Sequence, residues 1–209
     1  ALPPLTNAAG EPTGALHGVL TMIQKLLREE QPSNVAVVFD APGKTFRDDL
    51  YSEYKANRPP MPEELRSQVQ PILDAVEAMG LTLLKVPGVE ADDVIGTLCK
   101  QAGEAGLSVL VSTGDKDLAQ LVNDRVSLIN TMNDSRMDRD GVKAKFDVFP
   151  EQIVDYLALV GDTSDNIPGV PKVGAKTAAK WLNLYDNADG IVRNADEIKG
   201  RVGDSLREN

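Results

Sequence analysis

The residues best suited to chemistry are eight carboxylates that recur beside apolar runs. Asp40 closes "VAVVFD". Glu90, Asp92 and Asp93 follow "LTLLKV" and open a helical pattern. Asp115 and Asp117 lie in "STGDKD", after "LSVLVST", and Asp162 and Asp165 lie in "GDTSDN", just beyond "IVDYLALVG". Two carboxylates about 4 Å apart repel by about 4 kcal/mol at an effective dielectric near ~20. A cluster of them therefore needs a counter-charge, and hard divalent cations such as Mg²⁺ or Mn²⁺ prefer such oxygen donors. The single histidine, His17, and the single cysteine, Cys99, do not form a zinc-like pair. Each acidic group also has a plainer reading. Glu90, Asp92 and Asp93 suit the first turn of a helix, and "GDKD" suits a turn with an N-cap. Asp40 could be solvated, and Asp162 and Asp165 could be turn formers.

The elements that must position these groups alternate in type. Helical spacing marks 14–30 (Leu16, Leu20, Ile23, Leu27) and 62–80 (Val69, Ile72, Leu73, Val76, Met79), the latter with a stop at Gly80. Strands are expected at 35–40, 81–86, 107–113 and 126–130, and helices at 90–106 and 116–122. The alternation predicts an α/β fold with a mostly parallel central sheet flanked by helices. In open parallel sheets ligands bind beyond the carboxyl ends of the strands, so the three strand-borne acidic groups are expected at one edge. From about residue 150 the strands are expected to cease and a helical subdomain to begin, bringing Asp162 and Asp165. The expected division is thus 1–149 for the α/β core and 150–209 for the helical part.

Net charge is −10, which alone argues against nucleic acid. Removing the eight carboxylates from that −10 leaves −2, so the acidity belongs mainly to the candidate site. Basic residues are concentrated elsewhere. "PGVPKVGAKTAAKWL" reads as a glycine hairpin followed by a helix, where Gly169 and Gly174 would let backbone N–H groups approach a phosphate. Lys172, Lys176 and Lys180 add charge there, and Trp181 is expected in the core; the hairpin could equally be a plain connection. Segment 41–62, polar and basic with aromatic residues, carries Lys44, Arg47, Tyr54, Lys55 and Arg58. It reads either as a solvated loop or as a surface for a nucleic-acid strand. No run approaches the ~18 apolar residues of a membrane span, and the N-terminal "ALPPLTNAAGEPTG" reads as a loop without signal-peptide features. A lone cysteine, expected in the core, excludes an internal disulfide and suits the cytoplasm.

Together, "VVFDAPGKTFRDDLYSEYKANRPPMP", "GVEADDVIGTL", "STGDKDLAQLV" and "LALVGDTSDNIPGVPKVGAKTA" resemble the 5′-nuclease (flap-endonuclease) family, of the kind found as a domain of bacterial DNA polymerase I. The resemblance covers nearly the whole chain. It implies a metal-dependent, structure-specific nuclease that acts at 5′ ends and 5′ flaps of DNA in primer removal and repair. It implies that Asp40, Glu90, Asp92, Asp93, Asp115, Asp117, Asp162 and Asp165 hold two or more Mg²⁺ or Mn²⁺ ions. By the same resemblance, 41–62 is a helical arch that passes a single-stranded 5′ end. Lys55 and Arg58 act on the scissile phosphate, and Tyr54 is an aromatic near the site. Segment 166–176 matches the helix–three-turn–helix (helix–hairpin–helix) element that grips duplex DNA and holds K⁺. The implied partners are DNA and a polymerase domain of the same parent chain; a monomer in the bacterial cytoplasm, at the nucleoid, is expected. The family pattern opens with one more strand and a further metal-binding aspartate, so the chain is expected to be a fragment at both ends. A stand-alone nuclease of the family, a DNA-structure-binding module without catalysis and, more distantly, a metal-dependent phosphatase are the alternatives.

Overall fold

The computed structural model describes residues 5–208; the first four residues of the expected N-terminal loop, and Asn209, lie outside them. In chain order the elements are α1 (Gly14–Glu30), β1 (Ala36–Val38), α2 (Phe46–Leu50), α3 (Glu63–Ala78), β2 (Thr82–Leu84), α4 (Ala91–Glu104) and β3 (Val109–Ser112). After a 3-10 turn at Asp117–Leu121 come β4 (Val126–Asn130), β5 (Ser135–Met137) and α5 (Arg139–Phe146). A second 3-10 turn, Pro150–Gln152, leads into α6 (Ile153–Val160), β6 (Gly161–Asp162) and β7 (Ile167–Pro168). Helices α7 (Ala175–Tyr185), α8 (Ala188–Arg193) and α9 (Arg201–Glu208) complete the chain, with a third 3-10 turn at Ala195–Glu197. Two compact units share these elements: residues 1–45 with 59–94, and residues 46–58 with 95–209.

In the first unit β1 and β2 pair in parallel, Ala36 with Thr82 through Val38 with Leu84. Their short β-branched and leucine runs are of the kind that buried parallel strands require. Helix α1 packs against α3, whose buried face is Gln68, Ile72, Leu73 and Val76. Thr13 precedes α1 without capping it by its side chain. Gln68 does so from α3: its Oε1 accepts from the N–H groups of Ala15 (2.8 Å) and Leu16 (3.1 Å), while its Nε2 donates to the Glu64 carbonyl. A buried glutamine thus satisfies helix-end donors that would otherwise be orphaned.

The second unit holds an apolar core running from Cys99 and Val111 through Leu118, Val126, Ile153 and Trp181 to Ile191. Its three-stranded sheet has the order β3-β4-β5, parallel between β3 and β4 and antiparallel between β4 and β5. Cys99 is buried, and burial pushes its thiol pKa up, so it is a core residue as expected. Gln152 joins two helices through polar bonds. Its Oε1 accepts from Phe149 N–H, and its Nε2 donates to the carbonyls of Leu182 and Asp186 at the end of α7.

Several expectations are corrected. The segment 116–122 is a 3-10 turn rather than an α-helix. Strand β5 and helix α5, capped by Asp138 through Gly141 N–H at 2.8 Å, add to the expected elements; β5 is Ser135, Arg136 and Met137, too short a run to show alternation. Strands also do not cease at 150: β6 and β7 pair antiparallel, Gly161 with Pro168 and Asp162 with Ile167. That pairing explains two glycines. Gly161 has φ +77°, and a Cβ on it would collide with the backbone of Gly169; a Cβ on Gly169 would collide with the backbone of Val160 and Gly161. The two backbone segments cross in contact, so Gly169 serves close backbone packing.

Gly169→Ala is expected to lower stability by about 1–3 kcal/mol, as overpacking does. Gly103→Ala, in α4 with open space around it, is expected to be neutral or stabilising by about 0.5 kcal/mol. Urea-denaturation midpoints of the two variants check this.

Candidate active site

In the first unit the acidic groups gather about the N-terminus of α4. Asp40 lies just past β1, where Phe39 N–H still bonds to the Leu84 carbonyl and extends the strand pair. Its Oδ1 accepts from Ala91 N–H at 2.7 Å. Asp93 Oδ2 accepts from Glu90 N–H at 2.9 Å, and Asp92 lies in the same first turn. The helix end thus stabilises the carboxylates and fixes where Asp40 and Asp93 sit. For Asp92 and Asp93 this is the first-turn role read as an alternative. Lys44 is exposed in this unit.

The second unit brings Asp115, Asp117, Asp162 and Asp165 together with segment 46–58. Asp115 follows β3, and its Oδ1 accepts from Asp117 N–H at 2.9 Å, closing the "GDKD" turn. Asp117 Oδ1 is buried and accepts no hydrogen bond; the Lys116 ammonium lies 3.5 Å from it and 2.6 Å from Asp162 Oδ2. Burial pushes the Asp117 carboxyl pKa up; Lys116 opposes the rise, and the charges of Asp115 and Asp162 add to it. Asp162 is resolved the other way: burial raises its pKa, but the Lys116 hydrogen bond and the Ser164 N–H outweigh it and the net shift is downward. For Lys116 burial works against the charge, yet the bond to Asp162 and the nearby Asp117 leave its pKa raised.

Asp162 Oδ1 accepts from the N–H groups of Ser164 (2.7 Å) and Asp165 (3.3 Å). Asp165 in turn faces segment 46–58: Arg58 Nη2 reaches Oδ1 at 2.5 Å, Tyr54 OH reaches Oδ2 at 3.1 Å, and Lys55 Nζ lies 3.8 Å from Oδ2. Lys55 also lies 4.8 Å from the centroid of the buried Tyr54 ring, and Arg47 stacks on Phe46 at 4.6 Å. Part of the segment is helical, as α2, and 52–57 is a chain of turns. Beyond β7, Lys172 adopts φ +68° in the hairpin, and Gly174 precedes α7 without a side-chain cap. Lys172, Lys176 and Lys180 are exposed. Trp181 is 4% exposed, a core residue as expected.

Sequence reading missed Lys116, Asn57 and Asn166. Lys116 is visible in hindsight as the cation between two aspartates of "GDKD". The asparagines carried no signal, because their partners are backbone carbonyls more than 100 residues away.

The donor set suits a hard cation: all the candidate ligands are carboxylate oxygens, and the buried Asp117 Oδ1 accepts no hydrogen bond, with the Lys116 ammonium 3.5 Å away as its charge partner. Asp162 and Asp165 are turned to Lys116 and Arg58, and among the described residues no three acidic, histidine or cysteine side chains form a ligand group.

Two family models match the chain: the 5′-3′ exonuclease N-terminal resolvase-like domain over residues 1–147, and the 5′-3′ exonuclease C-terminal SAM fold over residues 148–209. The chain belongs to the 5′-3′ exonuclease family, a family of metal-dependent nucleases. It is 61% identical over 182 residues to DNA polymerase I of Pseudomonas aeruginosa, covering 87% of this chain and 20% of that protein. It is 44% identical over 199 residues to a 5′-3′ exonuclease of Aquifex aeolicus, covering 95% of this chain and 69% of that protein. Within DNA polymerase I the match therefore spans the nuclease domain alone. Among solved structures, T5 5′-exonuclease with bound zinc ions shares the fold at TM-score 0.78 and 23% identity, over 92% of this chain and 76% of that one. The catalytic core of Rad2 in complex with DNA substrate does so at TM-score 0.59 and 13% identity, over 98% and 66%. Among the described residues no helix is long and apolar enough to cross a membrane.

The raised Asp117 pKa has a consequence for stability. Its carboxyl favours the fold when protonated, and that contribution is lost as pH rises through the folded-state pKa. Asp117→Asn is therefore expected to raise the Tm at pH 7 in a chelator and to leave it unchanged near pH 3, read by thermal melts at the two pH values.

Proposed function

We propose that this chain hydrolyses phosphodiester bonds at the 5′ ends and 5′ flaps of DNA, with Mg²⁺ or Mn²⁺ as cofactor. One observation carries the reading: a buried carboxylate oxygen without a hydrogen bond, on Asp117, lies in the same unit as two cations, Lys55 and Arg58, fastened to Asp165. Asp115, Asp117, Asp162 and Asp165 would hold divalent ions in that unit; Asp40, Glu90, Asp92 and Asp93 are the acidic ligands that the first unit offers. When bound, such ions supply Lewis-acid stabilisation of developing charge and lower the pKa of a water nucleophile.

The chain's own groups do the rest. Lys55 and Arg58 place positive charge where the phosphate accumulates negative charge. Arg47, in segment 41–62, offers phosphate contacts to a single-stranded 5′ end, while the buried Tyr54 steadies Asp165 and Lys55 rather than stacking on a base. The uncapped N-terminus of α7 at Gly174 presents N–H groups to a duplex phosphate, and Lys172, Lys176 and Lys180 add charge. Gly169 keeps the hairpin backbone close-packed behind them, and K⁺ at 166–176 belongs to the same reading. The setting we infer is a monomeric cytoplasmic nuclease, at the nucleoid, in primer removal and repair, joined in the parent chain to a polymerase domain. A stand-alone nuclease is the second reading, favoured by the 69% coverage of the Aquifex aeolicus 5′-3′ exonuclease.

The test is cleavage of a labelled 5′-flap duplex. Asp115→Asn with Asp117→Asn is expected to cost several kcal/mol of transition-state stabilisation, on the order of a 1,000-fold loss of Mg²⁺-dependent rate, with duplex binding in Ca²⁺ retained. Full activity in that double variant would refute the reading. For the duplex anchor, Lys176→Ala and Lys180→Ala are each expected to reduce the slope of log K against log salt by about 1, measured by fluorescence anisotropy.

A further inference from the structure

Three consecutive carbonyls of the loop after β6 are taken by donors from a segment more than 100 residues earlier. Thr163 O accepts from Asn57 Nδ2 at 2.8 Å, Ser164 O from Arg58 Nε at 3.1 Å, and Asp165 O from Lys55 N–H at 2.9 Å. In the reverse direction, Asn166 Nδ2 donates to Glu53 O at 2.7 Å. The strip 53–58 is thereby zipped along 163–166, with an asparagine at each end. Both Lys55 (φ +54°) and Asn166 (φ +59°) adopt left-handed backbone, a conformation that costs a non-glycine residue energy unless its surroundings hold it. What the zip positions is Asp165 against Arg58, Lys55 and Tyr54.

We propose that Asn57 and Asn166 form a reciprocal clasp that positions Lys55 and Arg58 for phosphodiester cleavage. Neither asparagine carries charge or a proton to transfer. Each fastens a backbone carbonyl: Asn166 holds Glu53, on the N-terminal side of Lys55, and Asn57 adjoins Arg58. Long cationic side chains on a segment of turns lose considerable freedom when held in one geometry, and the clasp restrains the backbone that carries them, beside the bonds that Arg58 and Lys55 themselves make to Ser164 O and Asp165. Asn57 and Asn166 are therefore positioning residues. The inference rests on the roles proposed above for Lys55 and Arg58.

The test uses two variants in the complete protein. Asn57→Ala removes one amide. Asn166→Gly removes the other while keeping a residue at ease with φ +59°, so backbone strain does not confound the result. In the double variant, hydrogen exchange of residues 46–58 is expected to accelerate at least tenfold, led by Lys55 N–H, while exchange in the core around Leu182 and Ile191 stays unchanged. The cleavage kcat on a 5′-flap duplex in Mg²⁺ is expected to fall on the order of 10- to 100-fold, as misplacement of catalytic groups does, with KM held. Unchanged exchange in 46–58 overturns the clasp. Faster exchange with kcat unchanged overturns the positioning role, and a fall in kcat without faster exchange overturns it in favour of direct DNA contact by the asparagines. Lys55→Ala with Arg58→Ala separates the two layers. Full activity in that variant would sink the catalytic reading of the cations, while the exchange measurement would still decide the clasp.

Discussion

Like charges brought close together must be neutralised, and in the second unit that constraint organises everything around the loop after β6. Asp162 and Asp165 are three residues apart, with Asp115 and Asp117 acting on the same region. The loop meets the problem with backbone N–H groups from Ser164 and Asp165 on Asp162, Lys116 between Asp162 and Asp117, and Arg58 with Lys55 on Asp165. Remove those partners and the carboxylates would have to splay, protonate or recruit a cation from solution. The crossing of Gly161 and Gly169 sets the loop where these partners can reach it.

The first unit solves the same problem differently. Asp40 and Asp93 are held by the N–H groups of Ala91 and Glu90 at the start of α4, partial positive charges that cannot be displaced without unwinding the helix. Side-chain cations, in contrast, can swing away. The first set is thus held by backbone N–H groups, whereas in the second, ammonium and guanidinium partners join the backbone donors on Asp162 and Asp115.

Much of the scaffold was legible from periodicity and punctuation. The alternation of helical stripes and short apolar runs located α1, β1, α3, β2, α4, β3 and β4, because each buries one face or both and its pattern records which. The acidic groups at the ends of those runs were legible for the same reason, as were the burial of Cys99 and Trp181. Elements that do not live by burial were not. Strand β5 is three residues long and only Met137 of them is apolar, β6 and β7 are two residues each, and the turn at Asp117–Leu121 tightens to 3-10 geometry that no spacing announces. Gly169 was visible as a glycine but not as one half of a backbone crossing, since its partner Gly161 lies on the other side of a loop.

The amino-acid order carries the inventory: which carboxylates follow which strands, where the lysines and glycines of the hairpin fall, and hence the family. Those are local facts, carried by spacing along the chain. The pairing of distant groups, charged or neutral, comes from the folded arrangement alone. Arg58 to Asp165, Asn57 to Thr163 and Gln68 to the start of α1 join residues roughly 50 to more than 100 positions apart. Hydrogen bonds and ion pairs act over a few ångströms and are blind to chain separation, so no pattern in the sequence could have recorded them.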